Sequence, residues 1–348
     1  MIVMIYGIHR TGGKSKISHS TIAVTVLLPV RNEEKGIVQT VKSILTNTYQ
    51  DFELLVLDDH STDQTVQAIA SIADPRVVVI PLAVLEVGKK AAITKGVGLA
   101  KGELIVCTDS DTLVTSGWIE GHVRAFQRGN QLSFGPVRYF DQSCLTNMLN
   151  VELSALVGVG AATTALGYPS MINGCNYAFA KSAFITVKGF LGNENVASGD
   201  DEFLLRKITK RYPGQIAFLV DPAVLVQTAA PDNLLTFYHQ RKRWASKWRH
   251  HQDWLSHVLP FSLFLIYGIL VGASIHLIEE HLWLIGFLLG AKFLADFIFL
   301  KQAIKICKNK MNVFSFLSLQ IIYPFYVVFF GIASNFGKFQ WRNRTYHI

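Results

Sequence analysis

Two aspartates follow a short apolar run in the first third of the chain. The run at 103–107 has the length of a strand, and Asp109 and Asp111 come after it, separated only by Ser110. Side chains at positions i and i+2 of an extended segment lie on one face. The two carboxylates can therefore bind one hard divalent cation, which takes oxygen ligands and keeps positions open for phosphates. Taken alone, the same residues also suit a solvated turn.

The surrounding sequence predicts the elements that position these carboxylates. Apolar runs of strand length alternate with segments of helical periodicity. The strands are expected at 23–28, 53–57, 76–80 and 103–107, and the helices at 33–48, 62–73 and 88–101. Near-continuous apolar strands that alternate with helices are typical of a parallel, doubly wound α/β sheet. Such a sheet binds ligands at the carboxyl ends of its strands.

Composition divides the 348-residue chain into two unlike parts. Three long apolar stretches follow a segment of mixed character, at 258–275, 282–300 and 313–336. Their lengths predict transmembrane segments. In the second stretch, Lys292 and Asp296 lie one helical turn apart and can neutralise each other. We therefore expect a flexible basic leader at 1–22, an α/β domain at 23–255, a membrane domain of about three transmembrane segments at 256–336, and a basic and aromatic tail at 337–348.

The positive charge lies beside the apolar stretches. The formal net charge is +8, which in this arrangement favours a lipid bilayer over nucleic acid as the partner. The four cysteines are scattered without a CxxC pair, which fits a reducing cytosol. The positive-inside rule predicts a multi-pass protein of the cell (inner) membrane with its α/β domain in the cytosol. A break at Pro324 would return the tail to the cytosol, but we expect a complete third crossing, which places the tail outside.

Five short motifs occur in order along the α/β domain. They are Pro29-Val30-Arg31-Asn32-Glu33-Glu34, Asp58-Asp59-His60-Ser61-Thr62-Asp63, Asp109-Ser110-Asp111, Gly199-Asp200-Asp201 and Gln240-Arg241-Lys242-Arg243-Trp244. Together they resemble the family 2 inverting glycosyltransferases of the GT-A fold, and the set looks closest to the membrane-bound branch that includes cellulose and hyaluronan synthases. The resemblance covers roughly 23–250. It implies a Rossmann-like, mostly parallel catalytic domain followed by C-terminal transmembrane helices.

The resemblance implies a nucleotide-sugar site on the first strands. The residues that it assigns to the donor are Pro29, Arg31, Glu33, Asp58, Asp59, Lys89, Lys90, Asp109, Gln240 and Arg243. Asp59 would border the base, and Asp58 could make the same contact after a shift of one residue. A carboxylate can accept the imide N–H of uracil, which favours a UDP-sugar. The two lysines match a Gly-Lys motif of the family, although lysines at a helix start are equally often solvated.

The resemblance also assigns the chemistry. Asp111, with help from Asp109, would hold Mg²⁺ or Mn²⁺ against the diphosphate. Asp201 matches the general base that takes the proton of the acceptor hydroxyl. Asp200 would keep that base reactive by like-charge repulsion. The alternative for both residues of the Asp200-Asp201 pair is a simple helix cap.

The acceptor is expected beside the last motif. Gln240, Arg243 and Trp244 share one helical face, and Trp244 suits stacking under a sugar ring. Asn173, Gly174 and Asn176 match the acceptor pocket of the family. The alternative for the last motif is an amphipathic helix at the membrane surface, with its basic residues at headgroups. Both can hold, with Arg241, Lys242, Lys247 and Arg249 facing the membrane while Gln240, Arg243 and Trp244 serve the site.

The sequence thus predicts a membrane-anchored, metal-dependent, inverting glycosyltransferase of the hexosyltransferase type. It would move a sugar from a nucleotide-sugar donor to a glycan or glycolipid acceptor. Two other functions remain open. One is transfer to a polyprenyl phosphate, and the other is a non-catalytic membrane scaffold with a decayed transferase domain.

Overall fold

The computed structural model describes residues 21–140, 143–194, 196, 198–247, 261–262, 264–268, 282–341 and 344–347. The expected leader falls almost entirely outside the described residues. So does most of the first apolar stretch, 258–275.

The α/β domain alternates strands and helices as the apolar pattern predicts. In chain order its elements are β1 (Val24–Val30), α1 (Ile37–Leu45), β2 (Phe52–Asp58), α2 (Thr65–Ala70), β3 (Val77–Pro81), α3 (Lys89–Leu99), β4 (Leu104–Cys107), β5 (Thr112–Val114), α4 (Trp118–Gln127), β6 (Leu132–Phe134), β7 (Val137–Tyr139), α5 (Cys144–Ala165), β8 (Tyr177–Ala180), α6 (Lys181–Thr186), α7 (Asp200–Arg211), β9 (Ile216–Phe218), β10 (Val226–Thr228) and α8 (Leu234–Ser246). The two short strands β6 and β7 follow each other closely in the chain but belong to different sheets.

A seven-stranded sheet forms the centre, in the order β3-β2-β1-β4-β8-β6-β9. Strands β3, β2, β1 and β4 are parallel, with Val24 opposite Phe52 and Leu104, whereas β8 runs antiparallel to β4 and β6. A second sheet, β5-β10-β7, lies beside it. The expected α/β class with a largely parallel sheet is confirmed.

Apolar side chains on the two faces of the large sheet form two separate hydrophobic cores. Helices α1, α2, α4 and α5 cover one face, where Val26, Val56 and Trp118 are buried. Helices α3 and α7 cover the other, where Leu27 and Leu204 are buried. Because both faces are covered, the β1, β2 and β4 sequences read as continuous apolar runs.

The small residues of 145–170, which the sequence pattern does not place, lie in α5. A Cβ atom on Gly158 would lie 2.7 Å from Cβ of Ala303, and one on Gly160 would lie 2.9 Å from the carbonyl oxygen of Met171. The glycines therefore allow close approach of two neighbouring segments.

Two long helices and a hairpin follow the α/β domain in the described part of the chain. They are α9 (Leu282–Ile306), α10 (Val313–Ala333), β11 (Lys338–Trp341) and β12 (Arg344–His347). By length and composition alone, two described helical segments could cross a membrane, Leu145–Ala165, which is 67% buried, and Val313–Ala333, which is 22% buried. The first belongs to the core of the α/β domain. The membrane domain of about three segments stays a prediction.

The C-terminal hairpin packs on the α/β domain. The backbone N–H of Gln340 donates to Nδ1 of His239 at 3.4 Å, and the Arg344 guanidinium binds the Asp59 carboxylate. At the end of α10, the Phe330 ring contacts the rings of Phe237 and Tyr238. The tail therefore contacts the α/β domain, and the side of a membrane on which it lies stays a prediction. Positive-inside counting cannot see a packing contact between distant segments.

Candidate active site

A cavity of about 710 Å³ opens at the carboxyl ends of β1, β2 and β4. It is the place where a parallel α/β sheet binds its ligands. The sequence-predicted residues that line it are Pro29, Arg31, Asp59, Lys89, Asp109, Asp111, Asn173, Gly174, Asp200, Asp201, Gln240, Arg243 and Trp244. Residues from distant parts of the chain thus meet in one site.

Hydroxyl groups fix the turn that presents the Asp109 and Asp111 carboxylates. Oγ1 of Thr108 donates to the Cys175 carbonyl at 2.8 Å and lies 2.8 Å from Oγ1 of Thr112. Oγ1 of Thr112 in turn donates to the Asp109 carbonyl at 2.7 Å. The chain therefore leaves the sheet directly after Thr108, as the i, i+2 spacing requires.

Lys89 links three segments, two through their carboxylates and one through a backbone carbonyl. Its Nζ atom lies 2.7 Å from Oδ1 of Asp109 and 3.1 Å from Oδ2 of Asp200, and it donates to the Gly174 carbonyl at 3.0 Å. Burial alone would lower the pKa of Lys89, but the surrounding carboxylates raise it well above the usual value. The ammonium group is therefore charged and holds one side of the cavity together.

The acidic cluster suits a divalent cation. Burial, reinforced by the nearby charge of Asp109, raises the pKa of Asp111 to about 6. No group of three His, Cys, Asp or Glu side chains among the described residues is arranged to hold a metal alone. Two carboxylates nevertheless fit a cation that takes its other ligands from phosphates and water. The Lys89 ammonium between Asp109 and Asp200 shows that this cluster already binds positive charge.

The start of α7 presents two carboxylates with different surroundings. Gly199 precedes the helix with φ of +80°, a left-handed conformation that favours glycine. Asp200 pairs with Lys89, whereas Oδ1 of Asp201 lies 3.7 Å from Nζ of Lys247. Burial raises the pKa of Asp201, opposed by Lys247 and assisted by Asp200. Burial also disfavours the charged form of Asp200, but Lys89 and Lys247 outweigh it and lower the pKa. Asp201 is thus the more basic of the two.

Helix α8 points one face at the cavity and the other at the protein interior. Gln240, Arg243 and Trp244 line the cavity. Arg241 is 2% exposed and donates to Oε2 of Glu152 at 2.7 Å. Lys242 is also buried, and Lys247 faces Asp201. Arg249 lies outside the described residues, and the placement of the four basic residues at lipid headgroups stays a prediction.

Two donor residues predicted at β1 and β2 lie away from the cavity. Asp58 accepts the Ser61 backbone N–H and caps the local turn, while Asp59 lines the cavity. The backbone N–H of Glu33 donates to Oγ1 of Thr65 at 2.7 Å, next to the start of α1. Glu33 and Asp58 are not among the cavity-lining residues, and their assignment to the donor stays a prediction. Arg31 remains at the site, where it donates to the Asp59 carbonyl.

Lys90 and Asn176 are structural rather than ligand-facing. Nζ of Lys90 donates to the carbonyls of Asn193 and Val196 at 2.6 and 2.8 Å. The Asn176 side chain is fully buried, and both of its polar atoms are bonded within the core. Its Oδ1 lies 2.9 Å from Nε1 of Trp118 and 3.2 Å from Nε2 of His122, and its Nδ2 donates to the carbonyls of Pro136 and Val224. These internal contacts do not support the donor role predicted for Lys90 or the acceptor role predicted for Asn176, and both roles stay predictions.

Sequence reasoning missed several residues of the cavity. Some come from the C-terminal hairpin, namely Gln340, Arg344 and Tyr346, and others form an apolar arm. The residues of this apolar arm are Phe134, Val137, Tyr139, Leu153, Leu156, Val157, Met171, Ile172 and Phe218. No short motif marks either set, because each depends on how α5 and the tail pack against the domain.

Two family models match the chain. The model of Glycosyl transferase family 2 matches residues 25–180, and that of Glycosyl transferase family group 2 matches 104–331. The chain belongs to glycosyl transferase family group 2. The two matched ranges together contain every carboxylate residue that lines the cavity of this glycosyltransferase. The hairpin β11–β12 lies C-terminal to both ranges.

Individual relatives are more distant. The chain is 26% identical to a beta-monoglucosyldiacylglycerol synthase of Nostoc sp. over 261 residues, 70% of this glycosyltransferase and 54% of the relative. It is 24% identical to a poly-beta-1,6-N-acetyl-D-glucosamine synthase of Staphylococcus aureus over 226 residues, 64% and 53% of the two chains. The match thus spans about half the length of either relative. A solved mannosyltransferase of Pyrobaculum calidifontis, in complex with GDP-Man and Mn²⁺, has a similar fold, with TM-score 0.57, 16% identity and coverage of 96% and 92%.

Proposed function

We propose that this glycosyltransferase moves a sugar from a nucleotide-sugar, with UDP as the favoured nucleotide, to a hydroxyl group of a glycan or glycolipid, with inversion at the anomeric carbon. The observation that carries the proposal is the convergence of Asp59, Lys89, Asp109, Asp111 and Asp201 on one cavity. The names of the relatives, a glucosyldiacylglycerol synthase and a poly-N-acetyl-glucosamine synthase, support an acceptor of one of these two kinds.

Carboxylates and a basic side chain would bind different parts of the donor. Asp109 and Asp111 would hold Mg²⁺ or Mn²⁺, which when bound supplies Lewis-acid neutralisation of the leaving nucleoside diphosphate. The solved neighbour that contains Mn²⁺ and GDP-Man supports this assignment. Arg243, whose guanidinium donates to Oγ of Ser198 at 3.2 Å, brings a second positive group to the diphosphate. Asp59 would accept the N–H of the base.

Asp201 is the general base in this proposal. Its carboxylate would take the proton of the acceptor hydroxyl while the hydroxyl oxygen forms a bond to the anomeric carbon and the bond from that carbon to the phosphate oxygen breaks. The raised pKa of Asp201 supports the role, because a more basic carboxylate accepts a proton more readily. Asp200 and Lys89 would keep this carboxylate oriented and its charge balanced.

The acceptor side favours a partly apolar molecule. The apolar arm lines the same cavity as the carboxylates, and a soluble oligosaccharide would leave its Leu156, Met171 and Ile172 side chains without a partner. A glycolipid or lipid hydroxyl suits it better. A polyprenyl phosphate is the second candidate, which the same arm could also hold. A non-catalytic scaffold is disfavoured because carboxylates from three of the motifs line one cavity, namely Asp59, Asp109, Asp111, Asp200 and Asp201.

We also propose that the protein sits on the cytosolic face of the cell (inner) membrane, attached through its C-terminal helices as a multi-pass protein. Helix α10 exposes a row of apolar side chains at helical spacing, Phe314, Leu317, Ile321, Phe325, Phe329 and Ile332. Such a row suits contact with lipid tails.

The purified protein tests this function directly. A set of UDP-sugars with Mg²⁺ or Mn²⁺ is offered together with diacylglycerol, a polyprenyl phosphate or an oligosaccharide, and the product is identified by its mass. We expect acceptor-dependent UDP release with diacylglycerol or another lipid hydroxyl, and its loss in Asp201→Asn. No hydrolysis or transfer from any nucleotide-sugar would contradict the proposed function.

A further inference from the structure

The C-terminal hairpin reaches the site proposed for the nucleotide base. The Arg344 guanidinium makes a bidentate pair with Asp59, with Nη1 2.7 Å from Oδ2 and Nη2 3.0 Å from Oδ1. Paired geometry of this kind is the strongest that a guanidinium makes with a carboxylate. The two residues are 285 positions apart, so the contact is made by packing of the whole tail.

The Asp59 carboxylate has no acceptor position left. Besides the two bonds from Arg344, Oδ2 accepts the Gly88 backbone N–H at 3.1 Å, and Oδ1 lies 3.1 Å from Nδ1 of His60. An ionised carboxylate has about four lone-pair positions. Burial would raise the pKa of Asp59, but the bonds to Arg344, His60 and Gly88 prevail and lower it, so the carboxylate is ionised at neutral pH.

A few local contacts hold the hairpin against the α/β domain, while its Arg344 side chain stays partly exposed. The Phe339 ring is 4% exposed and stacks on the Tyr346 ring at 5.5 Å, and the Gln340 amide donates to His239 of α8. The Arg344 side chain keeps 22% of its surface exposed, whereas Asp59 keeps 9%. The carboxylate is thus part of the cavity wall, and the guanidinium approaches it from the open side.

We propose that Arg344 and the nucleotide base exchange on Asp59. The hairpin β11–β12 occupies the carboxylate in the empty enzyme and leaves it when the donor binds, so it acts as a lid that the nucleotide must displace. The inference rests on the proposed function, because it takes Asp59 as the residue that accepts the base N–H. Its chemical basis is that the base N–H needs an acceptor position on Asp59, and release of Arg344 would provide two.

Nucleotide affinity tests the exchange. Binding of UDP and of GDP, each with Mg²⁺, is measured by calorimetry on the full chain and on Arg344→Ala, Arg344→Lys and Lys338→Ala. Lys338 is an exposed residue of the same hairpin and serves as the matched control. Because a competing contact weakens apparent affinity by its own equilibrium constant, we expect Arg344→Ala to bind about three- to tenfold more tightly than the wild type. The nucleotide affinity of Arg344→Lys should lie between those of the wild type and Arg344→Ala. The affinity of Lys338→Ala should match that of the wild type.

Hydrogen exchange gives a second readout. Saturating UDP should speed exchange of the amides at 338–347, since the hairpin leaves its site. Unchanged or weaker nucleotide binding by Arg344→Ala, or slower exchange of the hairpin with UDP, would overturn the exchange and leave the proposed function intact. No binding of either nucleotide to wild type or variant would overturn both.

Discussion

The Nζ atom of Lys89 lies 2.7 Å from Oδ1 of Asp109, so the helix after β3 supplies the charge that balances the acidic turn after β4. Burial raises the pKa of Asp201, and the same ammonium acts in the opposite direction and lowers it. Lys89 therefore influences both the donor side and the proposed base.

Removing this charge should change the pH dependence of transfer. In Lys89→Gln the pKa of Asp201 rises, because a nearby cation that favours its ionised form is lost. The base must be deprotonated to act, so the acid limb of the pH–rate profile should move to higher pH. Lys95→Gln, on the same helix but paired with Glu86, is the control. An unmoved acid limb in Lys89→Gln would show that a different group sets it.

Substitution of the proposed base should separate catalysis from binding. Asp201→Asn keeps the shape of the side chain but cannot take a proton, so transfer should fall by roughly 10²- to 10⁴-fold. UDP affinity should barely change. Asp200→Asn should cost less, because Asp200 acts by pairing with Lys89. Transfer rate and UDP binding are measured for both variants; a larger loss in Asp200→Asn would reverse their roles.

The acidic turn should make transfer depend on a divalent cation. Asp111→Ala removes one of the two carboxylates proposed to hold it, so donor binding in the presence of Mg²⁺ should weaken and turnover should be lost. Titration with EDTA should abolish wild-type activity, and Mn²⁺ or Mg²⁺ should restore it. Full turnover in EDTA would mean that the two aspartates only shape a turn.

The local sequence pattern predicts the parts of the fold that depend on short-range periodicity. The strands and helices up to residue 107 appear with shifts of a few positions, because continuous apolar strands and amphipathic helices have distinct periods. Helix α5 was not predictable in this way. Its composition is apolar on all sides, and its glycines are explained only by contact with Ala303 of α9 and the Met171 carbonyl.

The motifs predicted the acidic residues of the site better than its polar neighbours. Carboxylates that follow strands converge whenever the strands are parallel, so Asp59, Asp109 and Asp111 meet by topology. Whether Asp58 or Asp59 faces the cavity depends on the local turn. Asn176 was expected in the acceptor pocket, but its side chain turns inward to Trp118, which no spacing rule reveals.

Asn176 should prove to be a stability residue. Asn176→Ala leaves the Trp118 and His122 ring nitrogens and two carbonyls in the core without their partner, which should lower the free energy of unfolding by about 2–4 kcal/mol. Asn173→Ala, at the cavity wall, should keep the stability and alter transfer. Thermal unfolding and UDP binding distinguish the two. A stable Asn176→Ala protein with a changed acceptor KM would restore the ligand role.

The side of the membrane on which the tail lies can be tested with a single introduced cysteine. Cys107, Cys175 and Cys307 are buried, so Lys338→Cys in a Cys144→Ser background should leave the introduced thiol as the main reactive one. Because the hairpin binds the α/β domain through Arg344, we expect an impermeant maleimide to label this thiol only from the side that carries that domain.

A second introduced cysteine reports the side of the α/β domain directly. Lys101→Cys replaces a side chain of that domain that is 88% exposed, and it is labelled in the same Cys144→Ser background. Both positions should react from one side of sealed vesicles, because the Arg344–Asp59 pair and the Gln340–His239 contact hold the hairpin against the domain. Labelling of the two positions from opposite sides would mean that α10 crosses the bilayer completely and that the hairpin never reaches Asp59.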